Sequence, residues 1–179
     1  MDIYASLYLP VLFMDRNTFS KSWKVFCWNV RGINSDKKWV SIRDKITESN
    51  CDIVCLQETK KENFDLQFIK NFCPSQFDSF EYLPSVGASG GIITIWTVYL
   101  FYGHLAFSND FSISVELTSK HDDSTWLLKI YMLLVHPRAN TSSCIGSKIF
   151  RCHQRLTSYS QAILISLENQ LIEISQEGI

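Results

Sequence analysis

The stretch KVFCWNVRGINSDKKWVSIRDKITESNCDIVCLQETK, residues 24–60, predicts a strand, a tight turn, a helix and a second strand. Asn29 closes the apolar run that begins at Val25, and Glu58 follows the apolar run that begins at Ile53. If the two strands are parallel neighbours, both polar groups emerge at the same carboxyl edge, where open α/β sheets build their sites. The stretch therefore predicts a polar site at one edge of a sheet.

The helices are predicted from capping residues and from apolar spacing. Ser35 is a suitable N-cap for a helix whose apolar face carries residues at helical spacing, and Asn50 can end that helix in a left-handed conformation. A second helix is predicted over about 62–72, from its phenylalanines. A third is predicted near the end of the chain, where apolar residues recur at helical spacing: Ile163, Leu167, Leu171 and Ile174.

Strand patterns dominate the rest of the middle of the chain. The Gly90-Gly91 pair precedes an apolar run at 92–96, and alternating residues between turn signals predict antiparallel strands. We expect those strands at about 98–107, 111–117 and 125–134.

Composition bounds the class of protein. The 179 residues are 46% hydrophobic and 13% aromatic, which favours one folded domain over disorder. The formal net charge of −1 gives no global basic field of the kind that marks many nucleic-acid-binding proteins. Six cysteines without a CxxC pair predict a reducing, intracellular compartment. Residues 1–22 are expected to be an extension of unknown structure, and no segment of the chain predicts a membrane span.

Three motifs in order carry a resemblance to a known family. WNVRG follows the first strand, LQETK the second, and SGGIITIW spans residues 89–96. Over about 24–131 these motifs resemble the endonuclease/exonuclease/phosphatase superfamily, and WNVRGIN and LQETK are most similar to the apurinic-type endonuclease domain of LINE retrotransposons. The resemblance implies an α/β fold, a four-layer α/β sandwich of which this chain holds only a truncated part. A nuclear location would follow for a functional retroelement product.

The resemblance also implies roles for particular residues. Glu58 would ligate Mg²⁺ (or Mn²⁺), because such hard cations take oxygen ligands. Asn29 would hydrogen-bond the metal site or the attacking water, and Tyr131 would donate to the scissile phosphate. Arg31 and Lys60 would contact the phosphate backbone of DNA. Taken without the resemblance, a lone strand-end glutamate such as Glu58 is more often solvated surface. Arg31 and Lys60 are then equally typical of ordinary surface, and Asn29 of a turn cap.

Two elements that the family requires are missing. Neither a Gly-Asp-Phe-Asn segment nor a Ser-Asp-His segment occurs, and no aspartate follows Asp123. Reading suitable codons one base earlier from Met132 can restore Tyr-Ala-Pro and, over the codons of 161–165, Gly-Asp-Phe-Asn. We therefore interpret residues 23–131 as an incomplete domain and 132–179 as a non-homologous tail, out of frame. The alternative is a diverged but genuine carboxyl region.

The predicted function follows from both the motifs and their interruption. The family function is metal-dependent phosphodiester hydrolysis, as in the DNA endonuclease of a retroelement, and this chain is expected to be an inactive fragment. The alternatives are a remnant that binds metal weakly through Glu58 and an interaction module that pairs through an exposed sheet. Truncation is also expected to leave an apolar sheet face without its partner, and so to lower solubility.

Overall fold

The computed structural model describes residues 22–87 and 89–132, together with the backbone of 148–153, 163–167 and 170–175. The predicted extension 1–22 lies outside the described residues except at its last position. Within these described ranges, two helices and ten strands follow in chain order: β1 (Ser22–Asn29), α1 (Asp36–Ser49), β2 (Ile53–Gln57), α2 (Leu66–Ile69), β3 (Ser79–Val86), β4 (Ser89–Trp96), β5 (Phe101–Asn109), β6 (Ser112–Ser119), β7 (Thr125–Tyr131), β8 (Lys148–His153), β9 (Ile163–Leu167) and β10 (Gln170–Ser175).

The strands that the structure describes form two five-stranded sheets. The first has the order β3-β4-β2-β1-β8, and the second has the order β5-β6-β7-β10-β9. β1 and β2 pair in parallel, which is the condition for the predicted edge site, whereas the other pairs of described strands are antiparallel. The parallel pair lies inside the first sheet, so the carboxyl ends of β1 and β2 share one edge.

The inner faces of the two sheets pack against each other and bury an apolar layer. Trp23 of the first sheet meets Phe101 of the second with 4.6 Å between ring centroids. A Cβ atom added to Gly103 would lie 2.5 Å from the Trp96 ring, so this indole fits only because β5 has no side chain there. The layer comprises Trp23, Val25, Cys27, Ile53, Cys55, Ile92, Trp96, Phe101, Ile113, Val115, Leu117, Trp126, Leu128 and Ile130. The expectation that truncation uncovers an inner sheet face is therefore wrong for the described residues.

The helices cover the outer face of the first sheet. Ile42 and Ile46 of α1 are buried against Phe26 and Val54, and Phe72, which follows α2, joins the same cluster. On the second sheet no described helix covers the outer face, and Tyr102 and Phe107 are exposed there. The observed layers are helix, sheet and sheet, which confirms the predicted truncated α/β sandwich.

Local signals explain which elements the sequence predicts. α1 begins after Ser35 and ends at Asn50, whose φ of 47° is left-handed as expected. The predicted helix 62–72 is wrong in length, since only Leu66–Ile69 is helical and Asp65 caps it by accepting a hydrogen bond from the Phe68 amide. In the part of the chain that the structure describes, no helix has the length and apolar character needed to cross a bilayer.

The tail contributes strands where the sequence pattern predicts a helix. β9 and β10 pair with each other, β10 also pairs with β7, and β8 pairs with β1. The predicted helix through Ile163 and Ile174 is therefore wrong. Both segments are also short apolar runs rich in isoleucine, a composition that favours a strand once a neighbouring strand is present.

Candidate functional site

The carboxyl ends of β1 and β2 lie side by side. Their last register pair is Asn29 with Gln57, so Glu58 is the first residue beyond β2. Hydrogen bonds continue past the strands, from the Gly32 amide to the Glu58 carbonyl at 2.6 Å and from the Ile33 amide to the Thr59 carbonyl at 3.1 Å. The two loops therefore hold each other in place, and the predicted juxtaposition of Asn29 and Glu58 at one edge is observed.

Both loops contain strained backbone. Arg31, Glu58 and Lys60 have φ values of 51°, 51° and 55°, and Gly32 has a φ of 95°. Left-handed conformations cost non-glycine residues about 1–2 kcal/mol each, and such strain clusters at functional sites. Three non-glycine residues with this strain lie within two loops that face each other, which points to a constraint other than stability at this edge.

Asn29 is buried, and its side chain is committed to its own turn. Its Oδ1 accepts a hydrogen bond from the Arg31 amide at 3.2 Å, the arrangement of an Asx turn. The carboxamide oxygen still has a second lone pair, so it can accept from another group or ligate a cation as well. The turn role and the site role of Asn29 are compatible.

The loop after β2 packs closely on β4 at two glycines, Gly90 and Gly91. The Thr59 amide donates to the Gly91 carbonyl at 3.1 Å, and the Lys60 amide donates to the Gly90 carbonyl at 3.0 Å. A Cβ atom on Gly91 would overlap the Thr59 hydroxyl, and one on Gly90 would lie 2.5 Å from the Met132 sulfur. The glycines therefore let the loop after β2 and the end of β7 approach β4 closely.

Gln57 joins the two sheets beneath this edge. Its Nε2 donates to the carbonyl oxygen of Tyr131 at 2.9 Å, while its Oε1 is buried and has no hydrogen-bond partner among the described residues. The sequence interpretation missed Gln57 as a site residue. The available signal was its position, because Ile53, Cys55 and Gln57 alternate onto the inner face, where a polar residue needs a partner.

Tyr131 reaches the edge through its backbone. Its carbonyl faces Gln57, and the next amide, of Met132, donates to the Phe111 carbonyl at 2.6 Å. The half-buried phenol ring lies 5.0 Å from the Lys129 ammonium. The backbone at the end of β7 is thus brought to the same edge as Asn29 and Glu58. The Tyr131 ring lies on the face of β7 that carries Lys129, opposite to the inner face of Leu128 and Ile130.

The predicted phosphate contacts lie on the outer rim of the edge. Arg31 and Lys60 are both exposed, and each follows a strand end by two or three residues. The Lys60 stem packs over Gly32, with its Cδ 3.5 Å from the position of an added Cβ atom. The side chains of Arg31 and Lys60 therefore add two positive charges on adjacent loops at this edge.

The oxygen donors at the edge fit a magnesium ion that keeps most of its water. Mg²⁺ in proteins is commonly held by one or two carboxylates, with waters and substrate phosphate as further ligands. Glu58 offers one half-buried carboxylate and Asn29 one carboxamide oxygen. Across 22–87 and 89–132 no three acidic, histidine or cysteine residues gather into a metal-binding group. The fit is to a hydrated ion, not to a closed protein cage.

Thiolate chemistry does not compete with this interpretation. Cys27 and Cys55 lie opposite each other in β1 and β2, and both are free and buried. Burial, with a smaller contribution from Cys55, raises the pKa of the Cys27 thiol well above its ordinary value. The thiol therefore stays neutral and acts as an apolar side chain.

The described residues place no histidine–carboxylate pair at the edge. His104 approaches Glu116 at 3.9 Å, but this pair lies on the exposed face of the second sheet, away from the end of β7. His121 lies in the turn between β6 and β7. The side chains of His136 and His153 lie outside the described residues.

Comparisons with known proteins concern the fold. No protein-family model and no curated protein matches the chain. The chain is similar to the crystal structure of AP endonuclease LMAP from Leishmania major, with 19% identity and a TM-score of 0.46 over 58% of this chain and 38% of that chain. It is also similar to ANGEL2, a 2',3'-cyclic phosphatase, with 13% identity and a TM-score of 0.41 over 57% and 38% of the two chains.

A third similar structure is the APE2 catalytic domain from Xenopus laevis, with 23% identity and a TM-score of 0.35 over 49% of this chain and 28% of that chain. The chain thus spans well under half the length of each of these structures. At these identities and TM-scores the likenesses carry no inference about what this chain binds or cleaves.

Proposed function

We propose that residues 23–131 form part of a phosphodiesterase-type domain whose edge binds a divalent cation and a nucleic-acid backbone phosphate. The observation that carries the proposal is the parallel pairing of β1 and β2, which brings Asn29 and Glu58 to one edge. The strained loops and the link from Gln57 to Tyr131 support it, because both hold strand ends from two sheets at that edge.

The roles of the residues follow from their chemistry. A bound Mg²⁺ or Mn²⁺ ion would neutralise phosphate charge and activate water. Glu58 would hold the ion by its carboxylate, and Asn29 would orient a water or the ion by its carboxamide oxygen. Arg31 and Lys60 would contact phosphate oxygens from the rim, and Tyr131 would donate a hydrogen bond to the phosphate.

The proposal includes the absence of turnover. In-line hydrolysis needs a positioned base and groups that stabilise the leaving oxygen. When catalytic groups act as a unit, removing one of them costs the enzyme nearly all of its activity. Glu58 and Asn29 supply neither an acid–histidine pair nor a second carboxylate. We infer that this chain is a remnant of a DNA endonuclease of the retroelement type, able to bind but not to cleave.

A nicking assay and a binding assay test the two halves of this proposal. With Mg²⁺ or Mn²⁺ present, the unmodified chain should nick supercoiled plasmid no faster than the Glu58→Gln variant does. Mn²⁺ binding, followed by electron paramagnetic resonance, should be weak and should be lost in Glu58→Gln. Glu48→Gln, a change on the exposed side of α1, is the matched control and should bind Mn²⁺ like the unmodified chain.

The outcomes separate the alternatives. Nicking that Glu58→Gln abolishes would refute the inactive remnant and establish an enzyme. Mn²⁺ binding that Glu58→Gln leaves unchanged would refute the site. A second candidate, an interaction module, is favoured by the exposed aromatic rings of Tyr102 and Phe107 on β5. Solubility that depends on a partner protein, without Mn²⁺ binding at Glu58, would favour that candidate.

A further inference from the structure

The ammonium group of Lys38 binds the turn that follows β1. Its Nζ donates to the carbonyl oxygens of Val30, Arg31 and Gly32, each at 2.9 Å. An ammonium group has three N–H donors, so this arrangement can use all of them. Lys38 is exposed to solvent, so the three consecutive carbonyls form a cation site at the surface that the chain fills with its own side chain.

The location of Lys38 argues that these contacts matter. Lys38 lies in the first turn of α1, where the helix dipole disfavours a positive charge. Charge-assisted hydrogen bonds to three carbonyls can offset this repulsion. They also satisfy carbonyls in a turn whose left-handed residues, Arg31 and Gly32, turn away from regular β pairing.

The turn that Lys38 binds is directly connected to Glu58. The Gly32 amide donates to the Glu58 carbonyl at 2.6 Å, while the Gly32 carbonyl accepts from Lys38. On the other side of the turn, the Arg31 amide donates to Asn29 Oδ1. A change in the turn would therefore move the backbone at Glu58 and the carboxamide of Asn29 together.

We propose that Lys38 is a positioning residue for the divalent-cation site, holding Glu58 and Asn29 in place through the Val30–Gly32 turn. The inference rests on the proposed function for its metal-binding part. It also separates Lys38 from Arg31 and Lys60, because an ammonium that already donates to three carbonyls has no N–H left for phosphate. Lys38 thus acts through other groups and does not itself contact substrate.

The test compares Lys38→Met, which keeps the apolar stem, with Lys37→Met, a matched change at its exposed neighbour in α1. Amide hydrogen exchange at Gly32 and Mn²⁺ binding are measured on the full chain. Lys38→Met should speed exchange at Gly32 and weaken Mn²⁺ binding, each by about tenfold or more, as expected for loss of a group that orients a ligand. Lys37→Met should change neither.

Ammonium rescue distinguishes positioning from a general loss of structure. In Lys38→Ala, ammonium chloride should restore slow Gly32 exchange and Mn²⁺ binding, whereas tetramethylammonium chloride at the same ionic strength should not. Faster exchange with unchanged Mn²⁺ binding would overturn the positioning role, and so would identical behaviour of Lys38→Met and Lys37→Met.

A measurement on the unmodified chain decides the case if the variants do not fold. The ¹⁵N signal of the Lys38 ammonium should be resolved, with slow proton exchange and scalar coupling to backbone carbonyls, and its absence would overturn the inference. If the unmodified chain binds no Mn²⁺, the proposed function is wrong. Gly32 exchange in Lys38→Met then decides by itself whether Lys38 holds the turn.

Discussion

The side-chain amide of Gln57, at the end of β2, donates a hydrogen bond to the backbone carbonyl of Tyr131, at the end of β7, across the space between the two sheets. Gln57 is almost completely buried, so water does not compete for this bond. The bond fixes the distance between two strand ends that belong to different sheets. It is therefore the direct link between the loops of the first sheet and the last fully described strand of the second.

Changing Gln57 tests this link. Gln57→Met should lower the free energy of unfolding by about 1 kcal/mol, since the lost bond to Tyr131 is partly offset by removal of Oε1, which has no partner among the described residues. Gln57→Glu should cost more at pH 8 than at pH 5. Burial raises the pKa of an introduced carboxyl, so stability is present below its unfolded-state pKa and is lost as the pH rises through the folded-state value.

Urea unfolding at the two pH values measures both effects. Gln67→Glu, on the exposed side of α2, is the control and should show no difference between the two pH values beyond that of the unmodified chain. Equal stability of Gln57→Met and the unmodified chain would show that the bond to Tyr131 contributes nothing.

Two glycines allow the cost of backbone strain to be measured separately from the cost of steric overlap. Gly87 and Gly91 both have positive φ, of 60° and 87°, but an added methyl group meets no described residue within 4 Å at Gly87 and overlaps Thr59 at Gly91. Gly87→Ala should therefore cost about 1 kcal/mol, and Gly91→Ala at least about 3 kcal/mol. Thr59→Ala should recover part of the second cost in the double variant, and additive costs would contradict the overlap.

Glu58 is expected to lower the stability of the protein while it contributes to cation binding. Its φ of 51° suits asparagine better than glutamate, so Glu58→Asn should raise the melting temperature while weakening Mn²⁺ binding. Glu48→Asn, inside α1, should instead lower the melting temperature slightly, because asparagine is a poorer helix former. Differential scanning calorimetry measures both, and a lower melting temperature in Glu58→Asn would show that the backbone there is not strained.

The raised pKa of the Cys51 thiol predicts that the protein becomes less stable at high pH. Burial, reinforced by Asp52, raises the pKa of this thiol from 9.0 to about 11. A thiol with a raised folded-state pKa contributes its full stability below pH 9, and this contribution is lost as the pH rises toward 11. The free energy of unfolding should therefore fall over this range, and less steeply in Cys51→Ala. Guanidinium titrations from pH 8 to pH 11 measure the slopes, and equal slopes would contradict the prediction.

The first half of the fold was predictable because its signals are local. β1, α1 and β2 follow from apolar runs, a capping Ser35 and a left-handed Asn50, and these signals agree with one another. β3 was missed because Pro84 and several polar residues interrupt its pattern. Its position explains how these are tolerated, since β3 is an edge strand and can accept a proline.

The errors arose where distant pairing decides the local structure. β9 and β10 have apolar spacing that suits a helix or a strand, and their pairing with each other and with β7 selects the strand. The edge that holds Asn29 and Glu58 was predictable, because strand ends can be identified from sequence. The contacts of Gln57 and Lys38 were not, because each depends on the folded positions of backbone carbonyls.

The fit of the Trp96 ring against Gly103 has a mechanical consequence for the whole sandwich. A flat apolar interface would let one sheet slide over the other. Here the Trp96 indole occupies the space that a side chain at Gly103 would fill, and this contact opposes sliding. Trp96 pairs with Ile53 at the start of β2, so this contact lies at the opposite end of β2 from the Gln57–Tyr131 hydrogen bond. The two sheets are therefore held at two separate points, and a larger residue at Gly103 should shift them against each other at a distance from Glu58.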